Sequence, residues 1–159
     1  SIDESMGAAH YELGILYNRK SDTPNAEAEL AKAVELSPNE ARFWYAYGEI
    51  FRLQERSEDA VNAYRKAVAL DPPHPKAAAK LSLLLIDQKD YDGAEKVLTV
   101  AIRKDGKNAT NYLNLGMVYA AKRKSSQAIE MFQKFLELAP PSDPDRKRAK
   151  DAINELKRR

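Results

Sequence analysis

The stretch ATNYLNLGMVYAAKRKSSQAIEMFQKFLELAP, residues 109–140, decides the fold. Tyr112, Leu115, Gly116 and Tyr119 recur at helical spacing, and after the polar break Lys122–Ser126 so do Ala128, Phe132 and Phe135. Pro140 then stops the run, because proline lacks an amide hydrogen and its ring clashes with the preceding turn. The pattern predicts one helix, a short turn, a second helix and an end. A single pair of this kind cannot bury its own apolar face, so it needs neighbours built the same way.

Such neighbours recur every 34 residues. Gly48 and Gly14 precede Gly116 by two and three periods, and Ser82 fills the intervening place. Ala26, Ala60 and Ala94 lead to Ala128; Ala33, Ala67 and Ala101 form a second small column that Phe135 interrupts. Bulky columns read Tyr17, Phe51, Leu85, Tyr119 and Leu30, Tyr64, Leu98, Phe132. Trp44 and Tyr112 share an aromatic column in which His10 and Ala78 stand in the other two units. Pro38, Pro72 and Pro140 close their units, with Gly106 in the third. Glycine inside a helix is about 1 kcal/mol less favourable than alanine. Three in register therefore predict places where a second helix comes close.

The order aromatic, Leu-Gly, Tyr, Ala, Phe, Ala, Pro at this spacing resembles the tetratricopeptide repeat (TPR) pattern. The resemblance implies an all-α, right-handed α-solenoid of four helix-turn-helix repeats, at 7–40, 41–74, 75–108 and 109–142. Helix starts are expected at Thr23-Pro24 and at Ser57 with its following Glu58 and Asp59. Residues 143–159 form a C-terminal capping helix with the narrow stripe Ala149, Ala152, Ile153, Leu156; Phe135 is expected to pack on its two alanines. Residues 1–6 are a candidate end of an upstream repeat, with Ile2 and Asp3 aligned on Leu70 and Asp71.

With 43% hydrophobic and 31% charged residues over 159, the chain fits one folded helical domain. A net charge of +2 is too small to point to nucleic acid. The basicity sits in the tail, where 143–159 holds seven bases against four acids. Interleaved acids weaken a reading of that tail as an anion-binding helix. No cysteine is present, which excludes disulfides and thiolate chemistry and is compatible with both cytoplasm and bacterial periplasm. The longest apolar run, 81–86, is far short of a membrane span and disfavours a membrane role. His10 and His74 fall in different units, neither in a metal-ligand spacing, and no phosphate-cradling loop or nucleophile elbow exists. His10 is expected to pack and His74 to be exposed. No enzymatic activity, cofactor or metal is expected.

The TPR resemblance implies that the first helix of each repeat lines a concave face. Carried over, it selects Ala8, Tyr11, Ile15, Asn18 and Arg19; Arg42, Tyr45, Glu49, Arg52 and Leu53; Lys76, Ala79, Leu83, Ile86 and Asp87; and Thr110, Leu113, Met117, Ala120 and Ala121. The first half mixes tyrosine with charge. The second presents Leu83, Ile86, Leu113 and Met117, which predicts another protein as partner, a peptide or amphipathic helix with apolar anchors. A carboxylate clamp of the kind found in TPR co-chaperones is disfavoured, since Tyr11, Ile15 and Ala46 stand where its donors belong; only Lys76 and Lys80 are cationic. Asn114 reaches the middle place only if the register starts one unit later. The alternatives are a self-assembling TPR array and a bacterial assembly factor similar to the TPR lipoproteins that help build pilus secretins.

Overall fold

The structure, a computed structural model, describes residues 2–70 and 73–158. Among them are nine helices and no strand: α1 (Ile2–Arg19), α2 (Thr23–Leu36), α3 (Ala41–Leu53), α4 (Ser57–Ala69), α5 (Ala77–Asp87), α6 (Tyr91–Lys104), α7 (Ala109–Ala121), α8 (Ser125–Leu138) and α9 (Asp145–Arg158). The fold is all-α. The even-numbered helices α2 to α8 start 34 residues apart. Two residues past the end of each odd helix from α1 to α7 the backbone is left-handed, at Ser21, Glu55, Lys89 and Arg123, with φ 59°, 60°, 61° and 58°. None is glycine, so each turn carries a penalty of about 1 kcal/mol. The geometry is held because the next amide reaches back to the helix: Asp22, Arg56, Asp90 and Lys124 donate to the carbonyls of Tyr17, Phe51, Leu85 and Tyr119 at 2.8–2.9 Å.

The starts of α2 at Thr23 and α4 at Ser57 are as expected, but the caps and the start of α5 differ. Asp22, not Thr23, caps α2 by accepting from the Asn25 amide, and α4 begins at Ser57 after Arg56 with no side-chain cap. A carboxylate one residue earlier outcompetes the hydroxyl for the helix amides. Pro75 and Lys76 form a turn, so α5 starts at Ala77 and Lys76 is not on the helix. Residues 2–6, the candidate end of an upstream repeat, run into α1 without a turn. Ser1, Asp71, Pro72 and Arg159 lie outside the described residues.

The chain divides into two compact units, Ser1–Ala77 and Ala78–Arg159. In the first, Gly14 lets α1 approach α2, where a Cβ would sit 2.7 Å from Leu30 Cγ, and Gly48 does the same for α3 against the Tyr64 ring. Ala26, Leu30, Ala46 and Ile50 form one buried cluster, and Ala33, Val34 and Phe43 another. In the second unit Phe132 lies against Gly116, and Phe132 and Phe135 share a cluster with Ala149, Ile153 and Leu156 of α9. Arg146 ties α9 down by donating from Nη1 to the carbonyls of Leu136 (2.7 Å) and Ala139 (2.8 Å), which the end of α8 leaves without helical partners.

A polar clip joins successive helix pairs inside each unit. Gln54 Nε2 and Arg56 Nη1 both donate to Glu27 at 2.7 Å, and 68 residues on, Lys122 Nζ donates to Glu95 and Asp92 at 2.5 Å. The hydrogen bond from Gln54, joined by Arg56, holds the Glu27 carboxyl below its ordinary value; the Lys122 hydrogen bond does so for Glu95. Carboxyls lowered by folding stabilise the native state fully above their unfolded value of 4.5 and lose that contribution as pH falls through the folded value. The expected result is that Tm falls on acidification below about pH 4.5, and that Glu27→Gln/Glu95→Gln starts lower but declines less steeply. Parallel Tm–pH curves for the two proteins would refute this assignment.

Candidate functional site

In the first unit the selected residues fall on α1 and α3. Tyr11 stacks on Phe43 with ring centroids 4.7 Å apart, and the Arg42 guanidinium lies 5.4 Å from the Tyr11 ring and 5.0 Å from Phe43. Arg42 also bonds Glu40 at 3.1 Å, so its head group is held on an aromatic ledge. One turn on, Tyr45 stacks on His74 at 3.8 Å and 13°, and sits 5.8 Å from Tyr64. Glu49 accepts from the Tyr64 hydroxyl and pairs with Arg52 at 3.4 Å. Ile15 packs sideways on the cluster around Ile50, while Asn18 is half-buried and Arg19 exposed. These side chains hold one another in place.

His74 is not the exposed turn residue expected from its prolines. Its amide bonds the Ala67 carbonyl at 3.0 Å and its ring is covered by Tyr45. Burial, and then the nearby Lys76, hold its pKa below the ordinary value, so the imidazole is neutral at pH 7. Burial likewise raises the Tyr45 phenol, and burial with the Glu49 hydrogen bond raises Tyr64 further. With Asn39, Glu40, Ala41, Arg42, Pro73 and Pro75, His74 lines an open cleft of ≈ 260 Å³. That space suits one side chain, below the size of a small-molecule site. His10, in the aromatic column, pairs through Nδ1 with Glu29 at 2.5 Å.

In the second unit the expected apolar set divides. Leu83 on α5 is 38% exposed, and Ile86 and Met117 are half-buried. Leu113 and Ala79 do not line a surface, being only 4% and 7% exposed. The reason is a neighbour the spacing does not reveal. Asn114, fully buried, donates to the Ala79 carbonyl and to Ser82 Oγ, both at 3.0 Å, and so draws α7 onto α5 at Ala79. Leu113 joins the core cluster with Phe132 and Phe135. Both hydrogens of the Asn114 side-chain amide are thus engaged within the unit. Among the described residues no three His, Asp or Glu side chains are placed to hold a metal ion, and no helix is long and apolar enough to cross a membrane.

Residues 13–146 match the family model described as cytochrome c-type biogenesis protein H TPR domain. Over 132 residues the chain is 30% identical to the type IV pilus assembly protein PilF of Pseudomonas aeruginosa, a similarity covering 82% of this chain and 52% of PilF. It is 24% identical over 139 residues to the cytochrome c-type biogenesis protein CycH of the same organism, covering 83% of this chain and 33% of CycH. The chain thus spans about half the length of the first relative and a third of the second. The solved structure of MamA superposes with a TM-score of 0.83 at 22% identity, covering 96% of this chain and 81% of MamA; such neighbours carry the TPR solenoid fold.

Proposed function

The chain belongs to the family of the cytochrome c-type biogenesis protein H TPR domain, and from that premise we propose that it is a non-enzymatic scaffold that binds a peptide or amphipathic helix of another protein. Proteins of this repeat class mediate protein–protein interactions. The observation that carries the finer reading is the ledge of Tyr11, Arg42 and Tyr45 on α1 and α3. Tyrosine and arginine dominate binding hot spots, and side chains already stacked at 4.7 and 3.8 Å lose little freedom when a partner docks. The adjoining cleft supplies room for one anchor side chain. In the second unit Leu83, Ile86 and Met117 give a smaller apolar surface of adaptable shape.

A narrower version, a bacterial assembly factor, is favoured by the likeness to PilF, itself a type IV pilus assembly protein. Both versions rest on side chains that touch a partner. Arg42→Glu and Leu83→Glu should keep the helical signal and Tm of the wild type, since both side chains are exposed. Capture of a partner in a pull-down read by mass spectrometry should fall roughly tenfold or more for Arg42→Glu. Equal capture by wild type and both variants would remove the proposal.

A further inference from the structure

The turn that enters α5 is fastened by one side chain. Between residues 73 and 76 only His74 and Lys76 bring a backbone N–H, because Pro73 and Pro75 have none. The His74 amide donates to the Ala67 carbonyl of α4 at 3.0 Å, and the His74 carbonyl accepts from the Ala77 amide at 3.1 Å, where α5 begins. The Lys76 amide donates to His74 Nδ1 at 3.3 Å. A ring nitrogen that accepts carries no proton, so the imidazole is neutral with its proton on Nε2. The same ring lies flat on Tyr45 of α3, with centroids 3.8 Å apart at 13°. His74 thus holds residues 73–76 to α3 and α4 at once, and with Pro73, Pro75 and Arg42 it walls the cleft beside the ledge.

Protonation would undo this arrangement from within. An Nδ1–H meets the Lys76 N–H donor to donor, so the turn must move before either finds an acceptor. The charge would also arise in a half-buried place with Lys76 nearby; Glu49 of α3 favours the charged ring, but burial and Lys76 outweigh it. Arg42 and Glu40 at the rim pair with each other at 3.1 Å, and burial keeps the phenols of Tyr45 and Tyr64 neutral. The fastened turn therefore excludes the proton, and by linkage the proton favours the freed turn as pH falls below the ordinary histidine value of 6.5. We propose that His74 is an acid-opened latch on this cleft: neutral, it fastens residues 73–76 over Tyr45, and protonated, it frees them and dismantles the wall against which a partner's anchor sits. Its consequence for a partner rests on the reading of the cleft as an anchor site; its opening is a property of the chain alone.

The test is an NMR titration of the whole 159-residue chain without a partner, from about pH 7.5 to about pH 5. Ring ¹⁵N shifts should place the proton on Nε2 at the upper end. The Lys76 amide and the Tyr45 ring should then move with the midpoint of His74 and not with that of His10, the other histidine, which is bonded to Glu29. Protection of the Lys76 amide from exchange, relative to the free-chain rate, should fall roughly tenfold or more. His74→Asn keeps an acceptor for the amide two residues on and cannot titrate, so its Lys76 amide should stay protected throughout. His74→Phe keeps a flat ring without an acceptor and should show the freed turn already at the upper end. A Lys76 amide blind to the His74 titration, or a His74→Phe turn as protected as the wild type, would overturn the latch. Capture of a partner separates the two readings. If Arg42→Glu captures as much as wild type, the anchor site fails and the titration alone decides the latch. If it captures less, wild type should let the partner go across the His74 midpoint while His74→Asn holds it, and release from both would overturn the coupling of latch to cleft.

Discussion

Phe135→Ala should destabilise the chain by about 3–5 kcal/mol, although alanine is what the other units carry at that place. The columns Ala33, Ala67 and Ala101 would lead a consensus argument to expect a neutral or stabilising change. The structure argues the reverse. The ring is 1% exposed and shares its cluster with Phe132 and with Ala149, Ile153 and Leu156 of α9. In the other units the small residue leaves space for the following helix pair. Here the ring shares one buried cluster with α9, against which Ala152 also packs. Truncation leaves a cavity that α9 can close only by shifting off the Arg146 hydrogen bonds to Leu136 and Ala139. Urea denaturation should show the loss, and amide exchange should show protection disappearing first from α9. A midpoint equal to wild type would mean that α9 collapses freely onto alanine and that the ring plays no part in holding α9.

The residues that were legible in the sequence are those whose chemistry repeats. Gly14, Gly48 and Gly116 oppose Leu30, Tyr64 and Phe132 because only a missing side chain admits a helix so close, and that constraint leaves a period. The turns were not legible in the same way. Ser21, Glu55, Lys89 and Arg123 take left-handed backbone without being glycine, because a hydrogen bond across the turn enforces the conformation whatever the side chain. The first-helix positions proposed to face a partner were only partly legible. Tyr11, Tyr45 and Leu83 lie at the surface, but Ala79 and Leu113 are buried, since the position of α7 depends on a buried amide, Asn114, whose partners are 35 and 32 residues away. Nor could spacing reveal that His74 would be covered by Tyr45, a contact between a helix and a proline-bounded turn.

Gly116→Ala is the sharpest case in which local and tertiary expectations have opposite signs. In an isolated helix the change should stabilise by about 1 kcal/mol, through propensity and a less flexible unfolded chain. Here the new Cβ would stand 2.6 Å from Cδ1 and Cε1 of Phe132, whereas carbon atoms rest at about 3.5–4.0 Å. The ring is 3% exposed and packed in a full cluster, so it has nowhere to turn. Overpacking of this kind destabilises by about 1–3 kcal/mol, enough to reverse the propensity gain. Gly14→Ala should be milder, because Leu30 presents a flexible branched side chain rather than a flat ring. The register itself offers the compensating change: where the third unit has Ser82 in the glycine column, it has Leu98 in the column of Phe132. Phe132→Leu should therefore relieve Gly116→Ala, and a double-mutant cycle read by urea denaturation should give a favourable coupling of about 1 kcal/mol or more. Additive effects in that cycle, or a Gly116→Ala protein as stable as wild type, would show that α7 and α8 can part without loss, and the close approach of paired helices would no longer explain the glycine column.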